Sequence, residues 1–209
     1  MNRRNRGLRQ ITQIVTKNMK VVSHNSGTGE RPANVFARFF PCIAKCQDKD
    51  ILDQYKIGVR GFDIRVRWHK DGYYVHHGLA RYRKTFEQVV AELNNVNGYC
   101  KDFCFVMVTY EGELSVDAQY EFVDYVKGEM RKADSLTLGH ISMKKPEWKV
   151  LSASKEQPRY ADNYAKFTKW ALLPFPKLWW WIGRSSTLKC RELNEENGGW
   201  VMEDFVAYP

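Results

Sequence analysis

From Val59 to Trp68 the chain alternates, with Phe62, Ile64, Val66 and Trp68 on one side of an extended strand and Asp63, Arg65 and Arg67 on the other. Shorter runs flank it. Met19-Lys20-Val21-Val22 reads as a strand that delivers His24 into a turn of small residues, and Tyr74-Val75-His76-His77 is a strand closed by Gly78. The segment from Asp50 to Ile57 predicts a short helix, with Gly58 placed to end it. Thr85 and Gln88 form the signature of a capping box, opening a helix with Phe86, Val89, Val90 and Leu93 on one face. Ser115 caps a second helix that buries Phe122, Val123, Val126 and Met130. Between them Phe103 to Val108 is apolar on both faces, as in a buried parallel strand. Further strands are expected over Trp148 to Leu151 and Trp200 to Val206. Strand and helix alternate, which predicts an α/β fold. A TIM-like (β/α) barrel, distorted or incomplete, fits better than an open dinucleotide-binding sheet because no Gly-rich phosphate loop occurs.

Composition narrows the class. At 209 residues the chain suits one domain, read as a basic extension over 1–18 followed by a single barrel over 19–209. The net charge of +9 favours anionic partners, either phospholipid surfaces or nucleic acid. The basic residues are dispersed and carry no nucleic-acid motif, so nucleic acid is not the expected partner. No apolar run approaches the ~20 residues needed to span a bilayer, and Ile11 to Val15 is too short and polar for an export signal. A soluble or peripheral protein acting as a monomer is expected. The five cysteines include two C-x₃-C pairs, Cys42/Cys46 and Cys100/Cys104, looser than the usual zinc spacing, and free or buried thiols are expected.

In a barrel, catalytic side chains come from the C-terminal ends of strands and the loops that follow. His24, Arg65, His77 and Glu111 all end or follow apolar runs. Two histidines with an Arg/Asp pair, at the ends of successive strands, suggest phosphoryl transfer. His76 and His77 take opposite strand faces, so one of them faces the site. His77 is preferred because the glycine after it permits close approach of a ligand. His69 and His140 are expected at the surface, and Glu111 is given no role.

These stretches resemble a known family. Ser23-His24-Asn25-Ser26-Gly27-Thr28 resembles the first-histidine motif of the catalytic X domain of phosphatidylinositol-specific phospholipases C, in particular the metal-independent bacterial type. Gln54 to Arg65 is similar to the helix-to-strand segment that carries the family's Asp and Arg, and His77-Gly78 to its second-histidine motif. Tyr160-Ala161-Asp162-Asn163-Tyr164 resembles the segment that faces the inositol ring, and Gly199 to Val206 the final strand.

The resemblance implies a mechanism. The inositol 2-hydroxyl attacks phosphorus, diacylglycerol leaves, and a cyclic 1,2-phosphate remains. It implies His24 as the base, Asp204 as its orienting partner, His77 as the acid and Arg65 as the clamp on phosphate oxygens, with Asp63 holding its neighbours. Asp162 and Tyr164 would contact the ring. Tyr110 stands where the family has a lysine, and Lys155 is the candidate for a missing downstream arginine. Arg65 sits where calcium-dependent relatives place acidic ligands, so no metal or other cofactor is expected. Asn25 departs from the bacterial pattern, which has Asp there, and matches the calcium-dependent one.

Trp179-Trp180-Trp181, flanked by Lys169, Lys177 and Arg184, is the other unusual feature. Tryptophan favours the membrane interface, and each nearby cation adds ~1 kcal/mol toward anionic lipid. Membrane contact at a phospholipid surface is expected there, against a core cluster or a partner interface. Competing functions are a catalytically inactive lipid-binding module on the same fold, a phosphodiesterase for another headgroup, and a metal-dependent phosphodiesterase.

Overall fold

The computed structural model describes residues 21–39, 45–143, 159–160 and 201–203. The extension over 1–18, the expected strand at 148–151, and Asp204, Asp162, Tyr164, Lys155 and Trp179 to Trp181 lie outside the described residues.

The strands are β1 (Val21–Ser23), β2 (Gly61–His69), β3 (Gly72–His77), β4 (Ala80–Thr85), β5 (Phe105–Tyr110), β6 (Thr137–Ser142), β7 (Arg159–Tyr160) and β8 (Val201–Glu203). The helices are α1 (Val35–Phe39), α2 (Ile51–Lys56), α3 (Phe86–Cys100) and α4 (Val116–Arg131). Strand β1 pairs in parallel with both β2 and β8, β2 with β5, β5 with β6, and β7 with β8. The first strand thus lies beside the last, as in a barrel, but the arc is not closed among the described residues. The fold is the α/β, TIM-like class expected, its arc open among the described residues.

Local signals act as the sequence indicates. Asp50 caps α2 by accepting from Asp53 N, and Gly58, at φ 108°, follows its end. The Thr85/Gln88 capping box closes in both directions. Ser115 Oγ accepts from Ala118 N at the start of α4. Strand β5 is parallel to neighbours on both edges, which explains why it carries no polar face.

Strand alternation separates two apolar layers. Phe62, Ile64 and Val66 join Val106, Val108 and Tyr110 beneath α3 and α4, packed on Phe86, Val89, Leu93, Phe122 and Val126. On the other face Val22, Phe105, Met107 and Met202 form a smaller cluster inside the arc. Asp63 and Arg65 share that inner face, in the part of β2 that pairs in parallel with β5.

Beyond Val66, β2 leaves the parallel arc and pairs antiparallel with β3, from Val66↔Val75 to His69↔Gly72. One strand thus carries Asp63 and Arg65 within the arc and continues into the hairpin that carries His76 and His77. The turn after β1 packs directly on this hairpin. A Cβ at Gly27 would fall 2.2 Å from Val75 Cγ1, so the approach admits no side chain there.

Candidate active site

His24 follows β1, and the register Val22↔Gly61, Ser23↔Phe62 sets it alongside Asp63 on the next strand. Its imidazole is fully buried, with Nε2 3.8 Å from Asp63 Oδ2. Side chains from the following loop and α2 pin this turn. Gln47 Nε2 donates to His24 O (2.9 Å), Gln54 Nε2 donates to Ser26 O (2.9 Å), and Ser23 Oγ donates to Gln54 Oε1. Thr28 Oγ1 accepts from the backbone N–H groups of Cys46 and Gln47 (2.9 and 3.0 Å) while donating to Asn25 O (2.8 Å). Each of these groups is removed from water with a partner, which makes the histidine turn rigid.

Asn25 adopts the left-handed region (φ 45°, ψ 50°), which asparagine tolerates better than most residues. Its backbone N–H donates to Asp63 Oδ2 at 3.1 Å. Its Nδ2 lies 3.2 Å from His24 Nε2 and donates to Cys46 Sγ at 3.4 Å. Its Oδ1 is buried without a hydrogen-bond partner.

Arg65 joins the cluster. Its Nη2 lies 2.8 Å from His24 Nε2, its Nε donates to Asp63 Oδ2 (3.4 Å), and its Nη1 donates to Glu111 Oε1 (3.2 Å). Because the guanidinium is a donor only, His24 Nε2 accepts in this contact. Asp63 Oδ2 therefore accepts from both the Asn25 backbone and Arg65.

Nothing in the sequence marks Glu111 for a role. It follows β5, where its backbone N–H extends the ladder by donating to Val66 O (2.7 Å). Its second carboxylate oxygen accepts from the backbone N–H of Gly78 at 2.8 Å. Glu111 thus ties Arg65 to the turn directly after His77. Gly78 itself sits at φ 56°, a conformation that favours glycine.

The two adjacent histidines part as expected. His77 stands opposite Ala80 in the β3–β4 ladder, and His76 opposite Arg81. Alternation places His77 on the side of Tyr82, whose buried hydroxyl is pushed up by burial and then by the charges of Cys46 and Glu111. Burial holds His76 below the usual imidazole range while Glu111 opposes that shift, and its Nδ1 is buried without a partner. The Glu111 carboxylate therefore acts on groups on both sides of β3.

Two expectations are corrected. Tyr110 is not available to a substrate: it is 7% exposed, packed against Phe122 and Tyr73 beneath the helices, because alternation along β5 turns it away from the inner face. His140 is only partly at the surface. It is half-buried on β6, where burial lowers its pKa and the charge of Asp63 raises it. His69 remains partly exposed, its ring edge-on to Tyr74. Among the described residues no cluster of His, Cys, Asp and Glu has metal-ligand geometry, and no helix is long and apolar enough to cross a membrane. Cys100 and Cys104 are free thiols, and burial pushes Cys104 up to about 12.

The α/β sheet, of TIM-like class, brings His24, Arg65 and Asp63 together on its first strands. Solved structures of that class superpose on this chain. Phosphatidylinositol-specific phospholipase C from Listeria monocytogenes matches with a TM-score of 0.62 at 11% identity, covering 91% of this chain and 89% of that one. The F249X mutant of the Staphylococcus aureus enzyme matches at 0.60 and 16% identity, covering 93% and 88%. A further S. aureus structure, concerned with modulation of membrane binding, gives 0.59 and 17%, covering 92% and 88%. No protein-family model and no curated protein matches the sequence. What is shared at these identities is the fold.

Proposed function

We propose that the protein is a phosphodiesterase of the phosphatidylinositol-specific phospholipase C type, cleaving the glycerol–phosphate bond by attack of the inositol 2-hydroxyl. The observation that carries this reading is the 2.8 Å approach of Arg65 Nη2 to His24 Nε2. It puts a fixed cation for a phosphate oxygen next to a lone pair able to take a hydroxyl proton.

The chemistry follows from those two groups. The phosphate draws the Arg65 fork onto its non-bridging oxygens, and His24 Nε2, released from the guanidinium, accepts the 2-hydroxyl proton as the O–P bond forms. His77 gives a proton to the departing glycerol oxygen. Asp204 supports the imidazolium of His24 as the third member of a triad does. Asp63 holds Arg65, and Asn25 adds an unused acceptor beside the base. Diacylglycerol and an inositol 1,2-cyclic phosphate are the products. No metal is required, since Arg65 supplies the positive charge. Asp162, Tyr164 and Lys155 are the proposed headgroup contacts, and Trp179 to Trp181 the membrane contact, with anionic lipid preferred.

Product analysis on phosphatidylinositol, with phosphatidylcholine as control, tests this reading. The expected result is a cyclic inositol phosphate from the first lipid and no cleavage of the second. Equal cleavage of both would sink the inositol assignment. Binding of lipid with no cleavage of any would replace the enzyme by an inactive lipid-binding module.

A further inference from the structure

We infer that Glu111 is a positioning residue that couples the guanidinium of Arg65 to the turn that directly follows His77. The two oxygens of one carboxylate are used separately: Oε1 accepts from Arg65 Nη1 at 3.2 Å and Oε2 accepts from Gly78 N at 2.8 Å. The carboxylate is only 18% exposed and Arg65 26%, so water competes weakly for the ion pair, while the Gly78 end of the bridge is exposed. Its backbone is fixed as well, since Glu111 N donates to Val66 O on the strand that bears Arg65. A side chain held at its root to β2 and at its tip to the β3–β4 turn sets the spacing between these two elements.

The inference rests on the proposed function for the roles of Arg65 and His77. A phosphodiester drawn onto Arg65 meets a guanidinium whose orientation Glu111 shares with the Gly78 amide, so anion binding is transmitted to the backbone next to His77. The proton donor is thereby held at the leaving oxygen when, and where, the phosphate is bound. Two carboxylates, Asp63 and Glu111, also face a single guanidinium. The Glu111 contact therefore restrains Arg65 rather than adding to its hold on an anion.

Leaving-group dependence separates this role from a merely structural one. Protonation by His77 matters for a glycerol or alkyl leaving group and little for a nitrophenyl group, which departs as a stable anion. Glu111→Gln is therefore expected to lose roughly ten-fold or more additional kcat on a glyceryl inositol phosphate than on a nitrophenyl inositol phosphate. Glu111→Asp, which keeps the charge on an arm too short to hold both partners, is expected to show the same split. Equal loss on both substrates, or wild-type behaviour of the Asp variant, overturns the inference.

A second measurement needs no turnover. Titration with inorganic phosphate is expected to move the Gly78 amide resonance in the wild-type protein, and to leave it in place in Glu111→Gln while phosphate still binds. A Gly78 resonance that ignores phosphate in the wild type, or moves equally in both proteins, also overturns it. If the wild-type protein cleaves neither ester, the proposed function fails, and the Gly78 resonance still decides the coupling.

Discussion

Arg65 Nη2 and His24 Nε2 stand 2.8 Å apart, a guanidinium donating to the nitrogen that would serve as base. The contact joins two strands at the same end of the arc and leaves His24 fully buried beneath the more exposed arginine. It bears on the catalytic predictions, because any group that draws off Arg65 also uncovers the lone pair of His24.

His24→Ala is expected to lower cleavage of phosphatidylinositol by ~10²-fold or more, the ordinary loss for a general base. Circular dichroism is expected to show the fold retained, since the backbone bond from Gln47 Nε2 to His24 O does not need the imidazole. A folded variant with a tenth of the wild-type rate would remove His24 from the base role.

Turnover is expected to survive chelation of divalent metals. In the proposed function Arg65 supplies the charge that a hard cation would otherwise bring. The measurement is the rate with EDTA and after adding calcium back. Loss of activity restored by calcium would mean that the site uses a cation, and would turn attention to the unpartnered Oδ1 of Asn25.

Replacing Trp179, Trp180 and Trp181 by alanine is expected to weaken binding to vesicles, most strongly when these contain anionic lipid. Hydrolysis of a soluble glycerophosphoinositol should be spared. Equal loss on vesicles and on the soluble substrate would make the tryptophans part of the core.

Stability is expected to fall in mild acid. Burial holds His76 and His140 below the ordinary imidazole value of 6.5, against opposing carboxylates at Glu111 and Asp63 respectively. The unfolded chain therefore takes up protons first as pH falls. Stability is complete above the ordinary imidazole range and is lost as pH drops through it toward the depressed folded values. Urea midpoints measured from about pH 8 to about pH 5 should show this slope, which is set by the imidazole range. The double variant His76→Gln/His140→Gln should flatten it, and an unchanged slope would assign the effect to other groups.

Much of the architecture is legible in one dimension because it is local. The period-2 pattern of β2 separates Phe62, Ile64 and Val66 from Asp63 and Arg65, and the helix caps at Asp50, Thr85 and Ser115 act within three residues of themselves. The small-residue turn after β1 likewise announces a histidine at a strand end. Such features need only chain geometry and nearest-neighbour chemistry.

Glu111, Tyr110 and His140 were decided by the tertiary structure. Strand β5 is apolar on both faces, so its sequence carries no sign of which face Tyr110 takes; only the packing of α4 over that strand sends the ring to the helix side, against Phe122. His140 is covered because β6 lies beside β5, a pairing between segments far apart in sequence. Glu111 holds Arg65 and Gly78 because register brings the ends of β5, β2 and β3 together at one place. A carboxylate in a loop looks the same in sequence whether it faces water or bridges two strands. Its partners lie 46 and 33 residues away, and only long-range pairing brings them within hydrogen-bond reach.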